Sequence, residues 1–258
     1  MQLRFIIIKL CVFISLFTLL FFGIRYLNLL RGAQLSENLN SIPWLFSAIA
    51  VIFSIISGFV IQTQWHTWDS LNDASHGELT MLRQLHNMAH HFPEKFQNDI
   101  RIAICRYLHH IIKESQWDYD RGVRSPFVEK ALNQLEDLMF EIFKKFPTTG
   151  SLAFSFLNRG MEYREKRLQS SSHHLPPTLR FFIIFATFSM VFTSLFIVIS
   201  SLLYYYLFTL IIGLLAYGIY LLIDDLDHPY RPGNWHLKTD TYKDLYLEIK
   251  EQIGYNEE

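Results

Sequence analysis

Three apolar tracts punctuate the chain, and a long segment of different texture separates the second from the third. The first tract covers residues 5–24 and is broken only by Lys9, close enough to one end for its amine to reach water. It exceeds the apolar core of about 7–15 residues that a signal peptide carries, and no A-x-A-like site follows, so it reads as a membrane span. The second, residues 42–61, holds no charge over about 20 residues, enough to cross about 30 Å of hydrocarbon. Trp44 marks one end, and Trp65 and Trp68 lie just past the other, where interfacial anchors belong. The third, residues 181–223, is uncharged throughout. As one helix it would run about 65 Å at about 1.5 Å per residue, twice the bilayer core. It must fold back, and the polar pair Ser200 and Ser201, followed by Tyr204, Tyr205 and Tyr206, marks the turn.

From Gln62 to Thr178 charged residues are frequent and nearly balanced, and apolar residues recur at helical spacing. One series is Leu79, Leu82, Leu85, Met88 and Phe92; the next is Ile100, Ile104, Tyr107, Leu108 and Ile111. After a break at 120–124, Ser125 and Pro126 form an N-cap followed by proline at the first helical position. Leu132, Leu135, Met139, Ile142 and Phe146 continue that helix. Residues 147–150 are expected to break it, with another helix over 152–168 and the tract SSSHHLPP at 170–177 before the third apolar tract. Strand alternation and internal repeats are not seen. The expectation is an all-α membrane protein with four transmembrane helices arranged as two hairpins and a cytosolic helical domain between spans two and three. Its parts are a first span at 1–30, a second at 42–64, the helical domain at 65–178, a hairpin of spans three and four at 179–223, and a cytosolic tail at 224–258.

Composition agrees with this division. The 258 residues are 50% hydrophobic with a mean hydropathy of +0.16, high for a soluble globule, and 23 Phe and 13 Tyr suit helices that meet lipid and its interface. A formal net charge of −1 gives no reason to expect a nucleic-acid partner. Cys11 lies in an apolar run and Cys105 in a polar one, so no disulfide is expected. Basic residues set the orientation. Arg4 and Lys9 flank the first span, and Arg164, Lys166, Arg167 and Arg180 lie near the third. The loop between the first two spans holds little beyond Arg25 and Arg31, and the last hairpin turn holds no Lys or Arg. By the positive-inside rule both termini and the middle domain face the cytosol.

Several local patterns, in their order along four spans, carry a resemblance. SGFVIQTQW at 57–65 ends the second span with Gly58 and Phe59; a helix with Glu78, Leu82 and Leu85 follows, then Tyr107 and Trp117. YREKRLQSSSHHLPP at 163–177 is a basic helix ending in Leu-Pro before a membrane hairpin. LDHPYRPG at 226–233 carries Asp227, Pro229 and Gly233 directly after the fourth span, with Arg231 and Pro232 a departure before the glycine. From about residue 42 to 250 the chain resembles the bestrophin-like family, a mostly bacterial group first described as a domain of unknown function. The resemblance implies kinship with bestrophins, pentameric ion channels with four spans per subunit and a pore lined by the second span and narrowed by bulky apolar side chains. It also implies the plasma (inner) membrane of a bacterium.

The second span then acquires two faces. Ala50, Ser54 and Gly58, with Ser47 and Ser57 nearby, form a small-residue stripe that lets another helix approach. Ile49, Ile52, Phe53, Ile56 and Val60 form the bulky face, which either meets lipid and packed neighbours or lines an apolar constriction about an axis. No span carries a central charge, which disfavours a pump. Asp224, Asp225 and Asp227 follow the fourth span. They are either a cation site, with Ca²⁺ the candidate because it takes oxygen ligands, or solvated and capping residues with Asp227 starting the turn before Pro229. Animal bestrophins, by the same resemblance, carry an acidic calcium-binding run nearby. His86 and His90 share a helical face, but no H-E-x-x-H or Cys pair accompanies them, and no metal site is assigned. The mixed run Glu162, Arg164, Glu165, Lys166 and Arg167 reads as a solvated face. Nucleophile motifs are not found, and no enzyme activity is expected. The sequence thus favours a homo-oligomeric, pentameric ion channel or channel-like protein whose partners are the bilayer, ions and further copies of itself. The alternative is a non-conducting membrane scaffold or sensor whose cytosolic helices bind a protein.

Overall fold

Helix dominates the computed structural model, which describes residues 2–26, 42–113, 124–197, 199, 201–231, 235–237 and 240–253 and contains no strand among them. The helices are α1 (Gln2–Tyr26), α2 (Ile42–Met88), α3 (Glu94–Lys113), α4 (Pro126–Lys145), α5 (Pro147–Ser171), α6 (Pro177–Ser194), α7 (Leu202–Asp227) and α8 (Asp240–Ile253). Four of them, α1, α2, α6 and α7, are long and apolar enough to cross a membrane. Trp117, Ser200, Pro232 and Gly233 lie outside the described residues.

Proline decides where several helices stop. α2 tightens into a 3₁₀ turn, Ala89–His91, and Phe92 then takes an extended conformation (φ −107°, ψ 161°), because the ring of Pro93 excludes helical backbone before it. Phe146 likewise leaves the helical region before Pro147, with φ −131° and ψ 72°. The expected break is there but short: α4 ends at Lys145, and residues 147–150, expected to lie within the break, are already the first turn of α5, with Pro147 at a position where a missing N–H costs nothing. One residue therefore joins α4 to α5, and the two helices meet so closely that a β-carbon on Gly150 would lie 2.8 Å from the Cα of Phe143. Ser125 does cap α4 with Pro126 behind it, though its hydroxyl makes no capping bond.

The contacts divide the chain into two compact units. The first comprises the described parts of Met1–Trp65, Leu175–His228 and Pro232–Trp235. In it α1 and α6 each pack on α7. Phe13 stacks on Tyr217 at 4.4 Å, and the Tyr205 hydroxyl donates to the Leu195 carbonyl at 2.5 Å. Gly213 leaves room for Phe13 and Phe17 to come within 3.4 Å of a β-carbon placed there. Within lipid such contacts hold helices together by close packing, since the tails are as apolar as the side chains. The α6–α7 turn begins at Leu195, and Ser201 is the N-cap of α7.

The second unit comprises the described parts of His66–His174, Pro229–Arg231 and His236–Glu258. α3 packs against α4 and α8, and α4 against α5. The stripe Ile100, Ile104, Leu108 and Ile111 is fully enclosed with Leu85, Leu135, Ile142, Leu245 and Ile249. Each such side chain contributes about 1.5–3 kcal/mol on burial. No helix was expected within the tail; residues 240–253 form α8, whose Tyr242, Leu245, Tyr246 and Ile249 join this core.

Candidate functional site

The membrane part of α2 has an inner and an outer face. Phe53, Ser57, Val60 and Gln64 recur at three-four spacing and are buried within the protomer. Val60, 1% exposed, sits with Leu175, Ile183 and Ile223, and Ile56 and Ile61 pack against that group. The bulky face, read as meeting either lipid and packed neighbours or a pore axis, therefore divides. Phe53 and Val60 are interior, Ile49 and Ile56 are half-buried, and only Ile52 is exposed, at 56%. A helical wheel alone could not tell which arc α6 and α7 would cover. The outward apolar stripe is Val51, Ile55 and Phe59, each a turn apart, with Ile52 beside it. Ser57 turns inward and leaves the small-residue stripe, whereas Ser54 and Gly58 are exposed, and a β-carbon on Gly58 would meet nothing within 4 Å.

At the end of α7 the three aspartates part company. Asp227 is buried and uses both oxygens: Oδ1 accepts the Leu175 N–H at 2.6 Å and Oδ2 pairs with Arg180. It fastens the segment leading into α6. Asp225 accepts the Trp235 N–H at 3.4 Å, and Trp235 meets Trp65 edge to face at 4.6 Å. Asp224 lies 3.7 Å from His228. Pro229, before which Asp227 was expected to cap a turn, is buried two residues after it. Among the described residues no three His, Cys, Asp or Glu side chains converge as metal ligands would.

The second unit holds a polar centre that hydrophobic periodicity concealed. Glu78 on α2 is 1% exposed. Its Oε1 accepts from the Tyr107 hydroxyl at 2.6 Å; its Oε2 accepts from Arg167 Nε at 2.8 Å and from the Tyr242 hydroxyl at 3.2 Å. Burial, and behind it the Glu78 carboxylate, push the Tyr107 hydroxyl well above 10, so it remains a donor. Arg164, also buried, reaches Glu129 at 2.6 Å. The run read as a solvated face is thus half interior: Arg164 and Arg167 point in, while Glu162, Glu165 and Lys166 stay exposed. The clue available beforehand was position, since Glu78 falls in register with Leu71, Ala74, Leu82 and Leu85 on the buried face of α2.

The ring centroids of His86 and His90 lie 6.3 Å apart; His86 is buried, and the exposed His90 lies 3.2 Å from an Arg101 nitrogen. Burial first, and Arg101 second, hold His86 below 6.5.

These features describe a helical membrane protein with four candidate spans and a helical unit centred on a buried ion pair. The Bestrophin-like domain matches residues 12–233, and the chain belongs to that family. Solved structures share the fold. A bacterial bestrophin homologue from Klebsiella pneumoniae carrying an aspartate-to-alanine mutation superposes with a TM-score of 0.72 at 14% identity, over 97% of this chain and 99% of that one. The Klebsiella homologue phased on zinc gives 0.63 at 14% identity, over 98% and 100%. A leucine-to-threonine mutant of it gives 0.68 at 15% identity, over 96% and 100%. No curated protein matches the chain.

Proposed function

We propose that copies of this chain assemble about α2 into an ion channel of the bestrophin type, a pentamer as the resemblance implies. The observation that carries the reading is the outward face of α2. Its inner stripe is already used within the protomer, whereas Val51, Ile55 and Phe59 remain uncovered beside the vacant small-residue stripe of Ser54 and Gly58. In the assembly the small stripe receives a neighbouring helix, and the apolar stripe narrows an axial path that gates by dewetting. The lining residues are accordingly Val51, Ile55 and Phe59, with Ile52 flanking, in place of the interior Phe53 and Val60. Both termini and the second unit face the cytosol of the bacterial plasma membrane, following the basic residues.

Native mass spectrometry of the nanodisc-embedded particle tests the assembly, and flux from salt-loaded liposomes tests the path. A pentamer in which Ile55→Ala and Phe59→Ala raise flux supports the reading. A stable monomer or dimer, or flux unmoved by both substitutions, overturns it.

The scaffold reading keeps one observation of its own. On α4 and α5, Phe140 and Phe143 are exposed around Phe154, with ring centroids 5.7 and 6.5 Å from it. An exposed aromatic group of this kind fits a protein partner. It becomes the leading reading only if the particle forms no closed ring.

A further inference from the structure

We propose that α8 is fastened by a proton-operated latch: in mild acid, charging of His86 releases the last turns of α8 from α3. The ring of His86, near the end of α2, is 2% exposed. Four charged or titratable groups face it: Arg83 on its own helix, His90 in the 3₁₀ turn that follows, Arg101 on α3 and Glu248 on α8. Among the described residues its Nδ1 and the Nε of Arg101 are both buried without a hydrogen-bond partner. Arg101 places one terminal nitrogen 3.2 Å from His90, and Glu248 pairs with Arg83 at 3.5 Å.

A neutral imidazole carries one N–H, which need not be at Nδ1. A charged ring carries both, so Nδ1–H becomes a buried donor with no acceptor. The charge would also stand beside two guanidinium groups and a single carboxylate, Glu248, which Arg83 already holds. The closed packing thus disfavours the charged ring, and water must reach it before it forms. α8 is the element that can yield. α3 is flanked by both α4 and α8. The first turn of α8 is anchored inside, where the Tyr242 hydroxyl reaches buried Glu78 at 3.2 Å. At the far end Ile253 is only partly buried, and the Arg83–Glu248 pair joins half-exposed side chains, a weak link. Local opening starts from such ends. The latch operates whether or not the protein conducts.

The test is hydrogen exchange of the full chain in nanodiscs, read by mass spectrometry at about pH 7.5 and about pH 5.5, with labelling times scaled to the intrinsic chemistry at each pH. One proton taken up by an opened ring that titrates near its ordinary value allows exchange up to about tenfold faster at the lower pH. Peptides from the last turns of α8 should quicken at least about threefold, while those from α4 stay unchanged. His86→Leu, with its fold checked by circular dichroism, should hold the α8 ratio near unity. Glu248→Gln removes the carboxylate that offsets the ring's charge and should raise the ratio above that of the unaltered chain. A ratio below about threefold in the unaltered chain overturns the proposal without any variant. So does an acid response that persists in folded His86→Leu, a ratio that fails to rise in Glu248→Gln, or α4 quickening in step with α8, which would mean that the whole unit unfolds.

Discussion

Replacing Glu78 by glutamine should destabilise the second unit by about 3–5 kcal/mol, the usual consequence of removing one partner from a buried ion pair. The structure says where the loss falls. Glutamine keeps one carbonyl oxygen, which can still accept from Tyr107 in place of Oε1. Its amide group then sits where Oε2 received Arg167 and Tyr242, so donors face donors. Tyr242 has an escape, because its hydroxyl already lies 3.2 Å from the Ser75 carbonyl. Arg167, 4% exposed, loses its contact with the Glu78 carboxylate. Tyr107→Phe removes one hydrogen bond to a charged acceptor and should cost about 1.5–3 kcal/mol, and Tyr242→Phe less. Replacing both charges, Glu78→Leu with Arg167→Met, should recover most of the stability, since well-packed apolar pairs often equal buried ion pairs. Cys105 supplies the assay. It is fully buried, burial pushes its thiol up to about 11, and alkylation therefore reports opening of this unit during denaturant titration. A loss below about 1 kcal/mol in Glu78→Gln, or a double variant as unstable as Glu78→Gln itself, would refute the Glu78–Arg167 pair as the source of the loss.

Other expectations follow from single sites. His86 is held below 6.5 while its unfolded counterpart titrates near 6.5, so the unfolded chain takes up protons first; stability should fall as pH drops below 6.5, and His86→Leu should flatten that slope in denaturant titrations between pH 5 and 6.5, despite Arg101, Glu248, His90 and Arg83 around the ring. A slope unchanged in the variant would count against it. Gly150→Ala drives a β-carbon into the Phe143 backbone and should lower stability by about 1–3 kcal/mol, read by Cys105 alkylation; a neutral result would mean that α4 and α5 separate freely. Asp227→Asn retains an acceptor for the Leu175 N–H and loses only a half-exposed ion pair, about 1 kcal/mol or less, whereas Asp227→Ala leaves that buried N–H without its acceptor and should cost about 1–3 kcal/mol. Thermal unfolding in detergent checks the order, and equal effects would mean that the backbone bond does not matter.

What the sequence could and could not reveal follows from the range of the interactions. Spans are local properties of hydropathy and length, so α1, α2, α6 and α7 were legible, as were the amphipathic stripes of α3 and α4. Which side of a span faces its own protomer is not local. On α2 the covering of Val60 depends on Leu175, Ile183 and Ile223, more than a hundred residues away. The buried face of α2 also includes Ser57, Gln64 and Glu78, and a search for apolar periodicity discards such positions. For the same reason Arg164 and Arg167, three apart on α5, looked like ordinary surface charges until their acceptors, Glu129 and Glu78, were placed. α8 had a readable signal, Tyr242, Leu245, Tyr246 and Ile249 at helical spacing, yet its partner α3 lies far upstream in the chain. Polar residues on a buried face are thus where long-range structure enters. Glu78 binds side chains from α3, α5 and α8 through one carboxylate, which fixes the order in which those helices surround α2 more specifically than their leucines and isoleucines could, because an apolar contact tolerates rotation and a three-donor carboxylate does not.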